Sequence, residues 1–453
     1  MEKYDVIVIG SGPAGNSAAY GFKEQGRKVA IIESDLWGGT CPNRGCDPKK
    51  MLMSGVEAQK RIETMVGKGF EQTPKIIWED LMTFKRSYTD SVPQNTKDGI
   101  DAAEIDRYTG QASFIDAHQI IVNDKILASD QFLIATGQRP SVLPIDGQHL
   151  LQSSTDFLAL EHLPEKIAFI GAGYIAFELA VIASAAGSEV HIIHHNDRPL
   201  KEFDQELVTA LVEHMKSEGV HFHFNVNTKA IDLNHPQYRI TGEDFELITD
   251  RVFGATGRIP NVEALNLEKA GVTYDKKGIK VDDHLRTTQK NIFACGDVVA
   301  KSQPKLTPVA SFEAGYVVKA MADSAEAIKY PLIPTIVFGD QRLARLGISE
   351  RELTAHPEKY HSQTMDLSSW YTYQRINDQG AKIKFVYDEE DKIAAITCLS
   401  QLADEVINYL LIALTKKMTH EEIEKFIFAY PSPASDLSYF IGSSSMSVGE
   451  EIQ

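Results

Sequence analysis

YDVIVIGSGPAGNSAAYGFKEQG, residues Tyr4–Gly26, passes from a β-branched run through a glycine turn into a helix-forming stretch that closes at Gly26. The run Val6–Ile9 is apolar without alternation, as a strand buried on both faces would be. Gly10, Gly12 and Gly15 follow it in the spacing G-x-G-x-x-G, and KVAIIES supplies a second strand ending at Glu33. In such a unit the first glycine permits a tight turn and the second lets backbone N–H groups approach a pyrophosphate. The third lets the helix pack close, so that its N-terminal partial charge faces the phosphates. The Glu33 carboxylate can accept both hydroxyls of an adenosine ribose. Glycine spacing alone would be weak evidence; strand, helix and acidic strand end together specify a dinucleotide site.

The unit returns as KIAFIG, AGYIAFELAVIASAAG and EVHIIHH, with Gly171, Gly173 and Ala176 at the three turn positions. Its second strand lacks a terminal acid and is followed by His194, His195, Arg198 and Lys201. This cationic cluster fits a 2′-phosphate, which favours NADPH over NADH, although residues of this kind also occur as plain solvated surface. After Pro331 the texture changes to PTIVFGDQRLARLGI, KIKFVYDEEDKIAAITCL and the amphipathic ADEVINYLLIALTKKM, which read as antiparallel strands packed with helices. The expected fold is therefore α/β, with two Rossmann-like dinucleotide-binding domains and a C-terminal α+β domain. The boundaries read as 1–150 completed by 271–331, then 151–270, then 332–453.

Bulk properties exclude several classes. The chain has 453 residues, 43% of them apolar, more than one core usually organises. A formal charge of −17 and the absence of a basic block argue against a nucleic-acid partner. No apolar stretch is long enough to span a bilayer, and MEKYDVIVIGSG enters the first strand with no leader, so a cytoplasmic location is expected.

Four cysteines are too few for a secreted disulfide framework. Two of them, Cys41 and Cys46, stand in GGTCPNRGCDPKK, Gly38–Lys50. Their spacing can place both thiols on one face of a helix's first turns, where the N-terminus favours thiolate. A zinc site would need further ligands, and a purely structural staple does not suit a reducing compartment. Cys295 and Cys398 read as buried core. His221 and His223 share one strand face, but with no third ligand in view no metal site is expected.

These motifs resemble the class I pyridine nucleotide-disulfide oxidoreductases, the family of glutathione reductase, dihydrolipoamide dehydrogenase and mercuric reductase. The resemblance spans nearly the whole chain and rests on GSGPAG, GGTCPNRGCDPKK, LIATGQRP, GAGYIAFE, GATGRIPN, IFACGDV with LTPVASFEAG, and PTIVFGDQRLARLG. It implies bound FAD, NADPH or NADH, a redox-active disulfide and a homodimer with a shared active site. It further implies that Cys41 attacks substrate, Cys46 is the charge-transfer thiol, Lys49 pairs with Glu178 near the flavin, and Tyr174 gates the nicotinamide pocket. Cofactor contacts are implied at Gly10, Gly12, Pro13, Ala14, Gly15, Glu33, Gly39, Thr40, Lys50, Ala135, Thr136 and Gly137. Further contacts are implied at Gly171, Gly173, Tyr174, Ile175, His194, His195, Arg198, Lys201, Gly257, Arg258, Gly296, Asp297, Leu306, Thr307 and Pro308. The acceptor implied is a small disulfide.

The sequence departs from the pattern in three places. FAYPSPASDLSYF carries Tyr430-Pro431 where most disulfide reductases of the family carry His-Pro, with Asp436 near their glutamate; a phenol, pKa about 10, is a weaker base than imidazole. That loss leaves a metal ion, a quinone or oxygen as alternative acceptors, or a redox sensor without turnover. Mercuric reductases resemble this chain in carrying tyrosine at the equivalent place, but they end in a vicinal cysteine pair, whereas this sequence reads SVGEEIQ there. The arginines with which glutathione reductases grip glutathione fall on Tyr20 and Tyr316, which cannot make bidentate charged pairs. Asp47 follows Cys46, where it would raise the neighbouring thiol's pKa or point to solvent.

Overall fold

A computed structural model describes residues 2–322 and 326–441, so SVGEEIQ, 447–453, lies outside the described residues. The chain forms two compact units. The first comprises Met1–Met51, Met82–Ser141 and Gly257–Lys329, the second Leu52–Leu81, Val142–Thr256 and Tyr330–Gln453.

In the first unit β1 (Glu2–Ile9) runs parallel to β2 (Val29–Glu33) on one side and to Lys125–Ile134 on the other. Asp106–Thr109 extends the sheet beyond β2, and Ile292–Ala294 pairs in parallel with the end of Lys125–Ile134. Ala112–Asp116 and Gln119–Val122 complete it as antiparallel strands. Every residue of β2 is buried, which explains its unbroken apolar run. Helix α1 (Pro13–Glu24) buries Ala14, Gly15, Ala18, Ala19 and Phe22. The three alanines keep that face shallow, and Val317 and Val318 of helix Thr307–Ala320 share its core.

The turn between β1 and α1 has no room for a side chain. Gly10 adopts φ +107°, and a Cβ there would stand 2.4 Å from the Ala135 carbonyl oxygen. The second unit repeats the arrangement: Gly171 has φ +112°, and its Cβ would stand 2.4 Å from the Ala255 oxygen. Ala135 and Ala255 begin the two Ala-Thr-Gly segments of the sequence.

The second unit contains a four-stranded parallel sheet in the order Val220–His223, Glu189–Ile193, Lys166–Ile170, Arg251–Gly254. A three-stranded antiparallel sheet, Thr228–Asn234, Gln237–Gly242 and Phe245–Thr249, shares a core with it through Ile193, Ile231 and Ile240. Residues beyond Pro331 form a five-stranded antiparallel sheet, ordered Thr335–Val337, Arg342–Gly347, Ile393–Ser400, Lys382–Tyr387, His361–Asp366. Helix Ala403–Thr415 packs Val406, Ile407 and Leu410 into the same core as Ile383, Phe385 and Ile396. Cys295 and Cys398 are both fully buried. No helix among the described residues is long and apolar enough to cross a membrane.

One buried ion pair fixes a turn of the first unit. Glu313, wholly inaccessible, pairs with Lys301 and accepts the Gly296 N–H at 2.7 Å. Lys301→Met strands that carboxylate and should cost about 3–5 kcal/mol, read as a lower urea midpoint for unfolding of the full chain. An unchanged midpoint would show that the pair contributes nothing to stability.

Candidate active site

The two cysteines do not share one helix. Cys41 lies in the short helix α2 (Thr40–Arg44) and Cys46 is the first residue of α3 (Cys46–Glu63), with Gly45 between them. A Cβ on Gly45 would stand 2.9 Å from the Thr40 oxygen and 3.0 Å from Cys41 Cα, so the bare backbone folds against the preceding turn. The sulfurs meet across this break instead of along one helical turn, and their side chains hydrogen-bond to one another.

The surroundings of the pair are electrostatically lopsided. The hydrogen bond from Cys41 is the main cause that draws Cys46 down to about 6; Lys49, the Thr307 hydroxyl and Lys50 act in the same sense. Cys41 is pushed up, chiefly by the same hydrogen bond, then by burial, the Cys46 charge and Asp47. Asp47 thus acts on Cys41, six positions back in the chain. Cys41 Sγ lies 3.7 Å from Asp47 Oδ1, and the Tyr88 hydroxyl donates to Asp47 Oδ2 at 2.6 Å. Tyr88, raised to about 12 by that carboxylate, keeps its proton. Nothing in the sequence pointed to Tyr88, which comes from helix Trp78–Thr89. Lys49 is buried, Lys50 and Cys41 are half-buried, and Cys46 is exposed.

The first glycine turn shares a hydrogen-bond network with the sulfur segment. Glu33 Oε2 accepts the Ser11 N–H at 2.9 Å and the Ser11 hydroxyl at 2.8 Å, while Ser11 Oγ accepts the Gly38 N–H at 3.0 Å. Glu33 Oε1 accepts the Asp35 N–H at 2.9 Å. The N-termini of α1, of α2 and of Thr307–Ala320 have no side-chain cap. Helix Gln205–Ser217, by contrast, is capped by Asp204 and helix Glu350–Ala355 by Ser349. Uncapped N–H groups beside a glycine turn and an anchored carboxylate fit the pyrophosphate and ribose of a dinucleotide such as FAD. Thr307, Pro308 and Leu306 begin the helix whose first hydroxyl meets the sulfurs.

Two repeated segments meet in this unit. Gln138–Pro140 pairs antiparallel with Arg258–Pro260, and Thr136 exchanges side-chain and main-chain hydrogen bonds with Asn261 at 2.7 and 2.8 Å. Gly137 O accepts the Asn261 N–H, Gly257 O accepts the Ser141 N–H, and Arg258 donates to the Gln138 carbonyl at 2.6 Å. Gly296 is held by Glu313, and Asp297 is pushed up by burial beside Lys301 and Lys305. The Tyr316 hydroxyl is engaged with the Glu326 carbonyl at 2.6 Å and with His284.

In the second unit, helix Tyr174–Ala185 also starts uncapped, after Gly173; Tyr174 is exposed and Ile175 half-buried. The loop carrying His194, His195, Arg198 and Lys201 is pinned to the glycine turn by the Leu200 N–H on the Ala172 carbonyl, 2.9 Å. His195, Arg198 and Lys201 are exposed, but His194 is half-buried and pushed down by burial, so it adds no charge to the cluster. Glu178 is buried and accepts the Phe338 N–H at 3.1 Å. Tyr430 is 73% exposed and stacks on Tyr371 at 6.0 Å, whereas Asp436 is buried, raised by that burial and bonded to Thr372.

Residues 4–314 match the pyridine nucleotide-disulphide oxidoreductase model and residues 333–438 its dimerisation domain. The chain belongs to this family. It is an FAD-dependent NAD(P)H oxidoreductase of the disulfide reductase class and carries the family's dimerisation domain. A mercuric reductase of Staphylococcus aureus is 30% identical over 96% of the chain and 81% of its own length. A glutathione reductase of Burkholderia cepacia is 30% identical over 96% of the chain and 98% of its own. Among solved structures, the HOCl-induced flavoprotein disulfide reductase RclA of Escherichia coli superimposes with a TM-score of 0.87 at 24% identity. That match covers 96% of this chain and 99% of RclA, and it speaks to the fold alone.

In the reduced oxidoreductase the Cys46 thiolate forms as pH rises through about 6 and is lost below it. Iodoacetamide labelling of that residue should therefore show a midpoint near pH 6 and not near 8.5, the value of a free thiol at about that pH. Lys49→Met and Thr307→Val should each raise the midpoint by about one pH unit, about 1.4 kcal/mol of lost thiolate stabilisation. A midpoint that stays put in both variants would refute the assigned cause.

Proposed function

We propose that electrons travel from NADPH to a disulfide formed by Cys41 and Cys46, and from there to a small disulfide other than glutathione disulfide. The observation that carries this reading is the lopsided sulfur pair, with the thiolate favoured at Cys46 and the proton at Cys41. FAD, when bound, takes hydride from the nicotinamide and passes the electron pair to sulfur.

Opening the S–S bond with two electrons and one proton leaves Cys46 as thiolate and Cys41 as thiol. The hydrogen bond between the sulfurs keeps the charge at Cys46 and the proton at Cys41; Lys49, Thr307 and Lys50 add to the first effect and Asp47 to the second. When Cys41 gives up that proton, its sulfur attacks one sulfur of the acceptor, forming a mixed disulfide. The first thiolate departs and takes the proton. Cys46 then attacks Cys41, which re-forms the internal disulfide and releases the second thiolate to be protonated from solvent. In this reading residues 1–150 with 271–331 bind FAD, 151–270 bind NADPH and 332–453 join two chains, with the segment around Tyr430 of a second copy completing the acceptor site.

The exposed Arg198 and Lys201, on a loop tied to the second glycine turn, support NADPH. Engagement of Tyr316 by Glu326 and His284 supports an acceptor other than glutathione disulfide, because that hydroxyl is already used within the unit.

Cys41→Ser should retain FAD and a single stoichiometric reduction by NADPH but lose steady turnover with every disulfide acceptor by more than about a hundredfold. Continued turnover with a disulfide would overturn the reading. Arg198→Ala should raise the KM for NADPH about tenfold, the value of one charge-assisted contact of about 1.5 kcal/mol, and leave that for NADH unchanged. Equal effects on both would reject the 2′-phosphate assignment.

A further inference from the structure

The sequence offered two histidines on one strand face and no third ligand; the parallel sheet of the second unit brings the missing groups to them. His191 is in register with His221 on the adjacent edge strand, so both point to the same face, shared with Glu189 and His223 two residues away. The His191 ring stacks on His221 at 4.8 Å and on His223 at 5.2 Å, with interplanar angles of 21° and 16°. His191 Nε2 lies 2.9 Å from Glu189 Oε1, and His191 Nδ1 lies 2.9 Å from His223 Nε2. One ligand atom from each of Glu189, His191 and His221 falls within 4.8 Å of the others.

We infer that Glu189, His191 and His221 form a binding site for a divalent first-row cation of the zinc type, with His223 as the positioning residue behind it. Two imidazoles and a carboxylate are the donor set such cations prefer over Mg²⁺ or Ca²⁺. In the metal-free chain His191 sits between two partners, Glu189 at Nε2 and His223 at Nδ1. When a cation binds Nε2, the His191 proton moves to Nδ1 and is donated to Nε2 of His223, which then carries its own proton on Nδ1; this is the outer hydrogen bond that metal-bound histidines commonly make. His223 is held for this task by Phe245, whose ring meets it edge-on at 5.0 Å. Lys166, 2.8 Å from Glu189 Oε1, is the one cation now on that carboxylate among the described ion pairs and is the group a metal must compete with. Glu189 and His221 are exposed, so the site is open to solvent while His191 anchors it from within.

The site lies on the mid-strand face, upstream of the loop that carries Arg198, and stands independently of the proposed redox cycle. The test is equilibrium dialysis of Zn²⁺ against untagged holoenzyme in a Cys41→Ser/Cys46→Ser background, which removes the competing thiols. One Zn²⁺ per chain is expected, undisturbed by millimolar Mg²⁺. His221→Ala should weaken binding at least tenfold, as should Glu189→Gln, which removes a charge without opening a cavity. His223→Phe should weaken it about 10–100-fold while keeping the stacked ring. Absence of a stoichiometric site in the parent, or equal binding in His221→Ala and Glu189→Gln with native circular dichroism, would overturn the assignment.

Discussion

In each half of the molecule a carbonyl oxygen occupies the space where a side chain of the first turn glycine would be: Ala135 against Gly10, Ala255 against Gly171. That contact sets how closely the strand that ends in Ala-Thr-Gly can approach the turn, and so where the following helix begins. Because the helix starts at a bare backbone, its first N–H groups face outward with no side-chain cap. Their partial positive charge is then available to phosphate oxygens. Glu33, held by Ser11, adds an acceptor of fixed position beside the same turn.

The sulfur pair depends on a second close approach, at Gly45. Since the backbone breaks there, Cys46 starts a new helix and its sulfur meets the Thr307 hydroxyl at the start of another. Two buried or half-buried lysines lie on the Cys46 side and a carboxylate on the Cys41 side. The arrangement sorts one negative charge and one proton between two chemically identical groups, which a spacing of five residues could not do by itself. The same asymmetry bears on the absent histidine. Asp47 lies beside Cys41 and is itself held by the Tyr88 hydroxyl, although neither is a base of imidazole strength.

Much of the molecule was legible from its residues. The doubled strand–glycine–helix unit, the acid at Glu33, the cysteine pair and the change of texture after Pro331 follow from local sequence, because each is a rule about neighbours: periodicity, turn geometry, capping. The third zone's strands and its helix Ala403–Thr415 lie where the pattern put them. What the residues did not reveal was side-chain direction. Asp47 stands next to Cys46 in the chain yet faces Cys41, and His194 belongs to a cationic run yet is withdrawn and neutral.

Sequence by itself therefore determined which segments become strands and helices, where the two glycine turns fall, and that two thiols stand close together in one short segment, since these properties are encoded within a few residues. Tertiary structure decided which sulfur carries the charge, that Lys301 answers Glu313, that Tyr88 reaches Asp47 from 41 positions away, and that Glu189 and His191 join His221. Those pairings depend on the register and packing of distant elements, and electrostatic influence falls off with distance in space, whatever the separation along the chain.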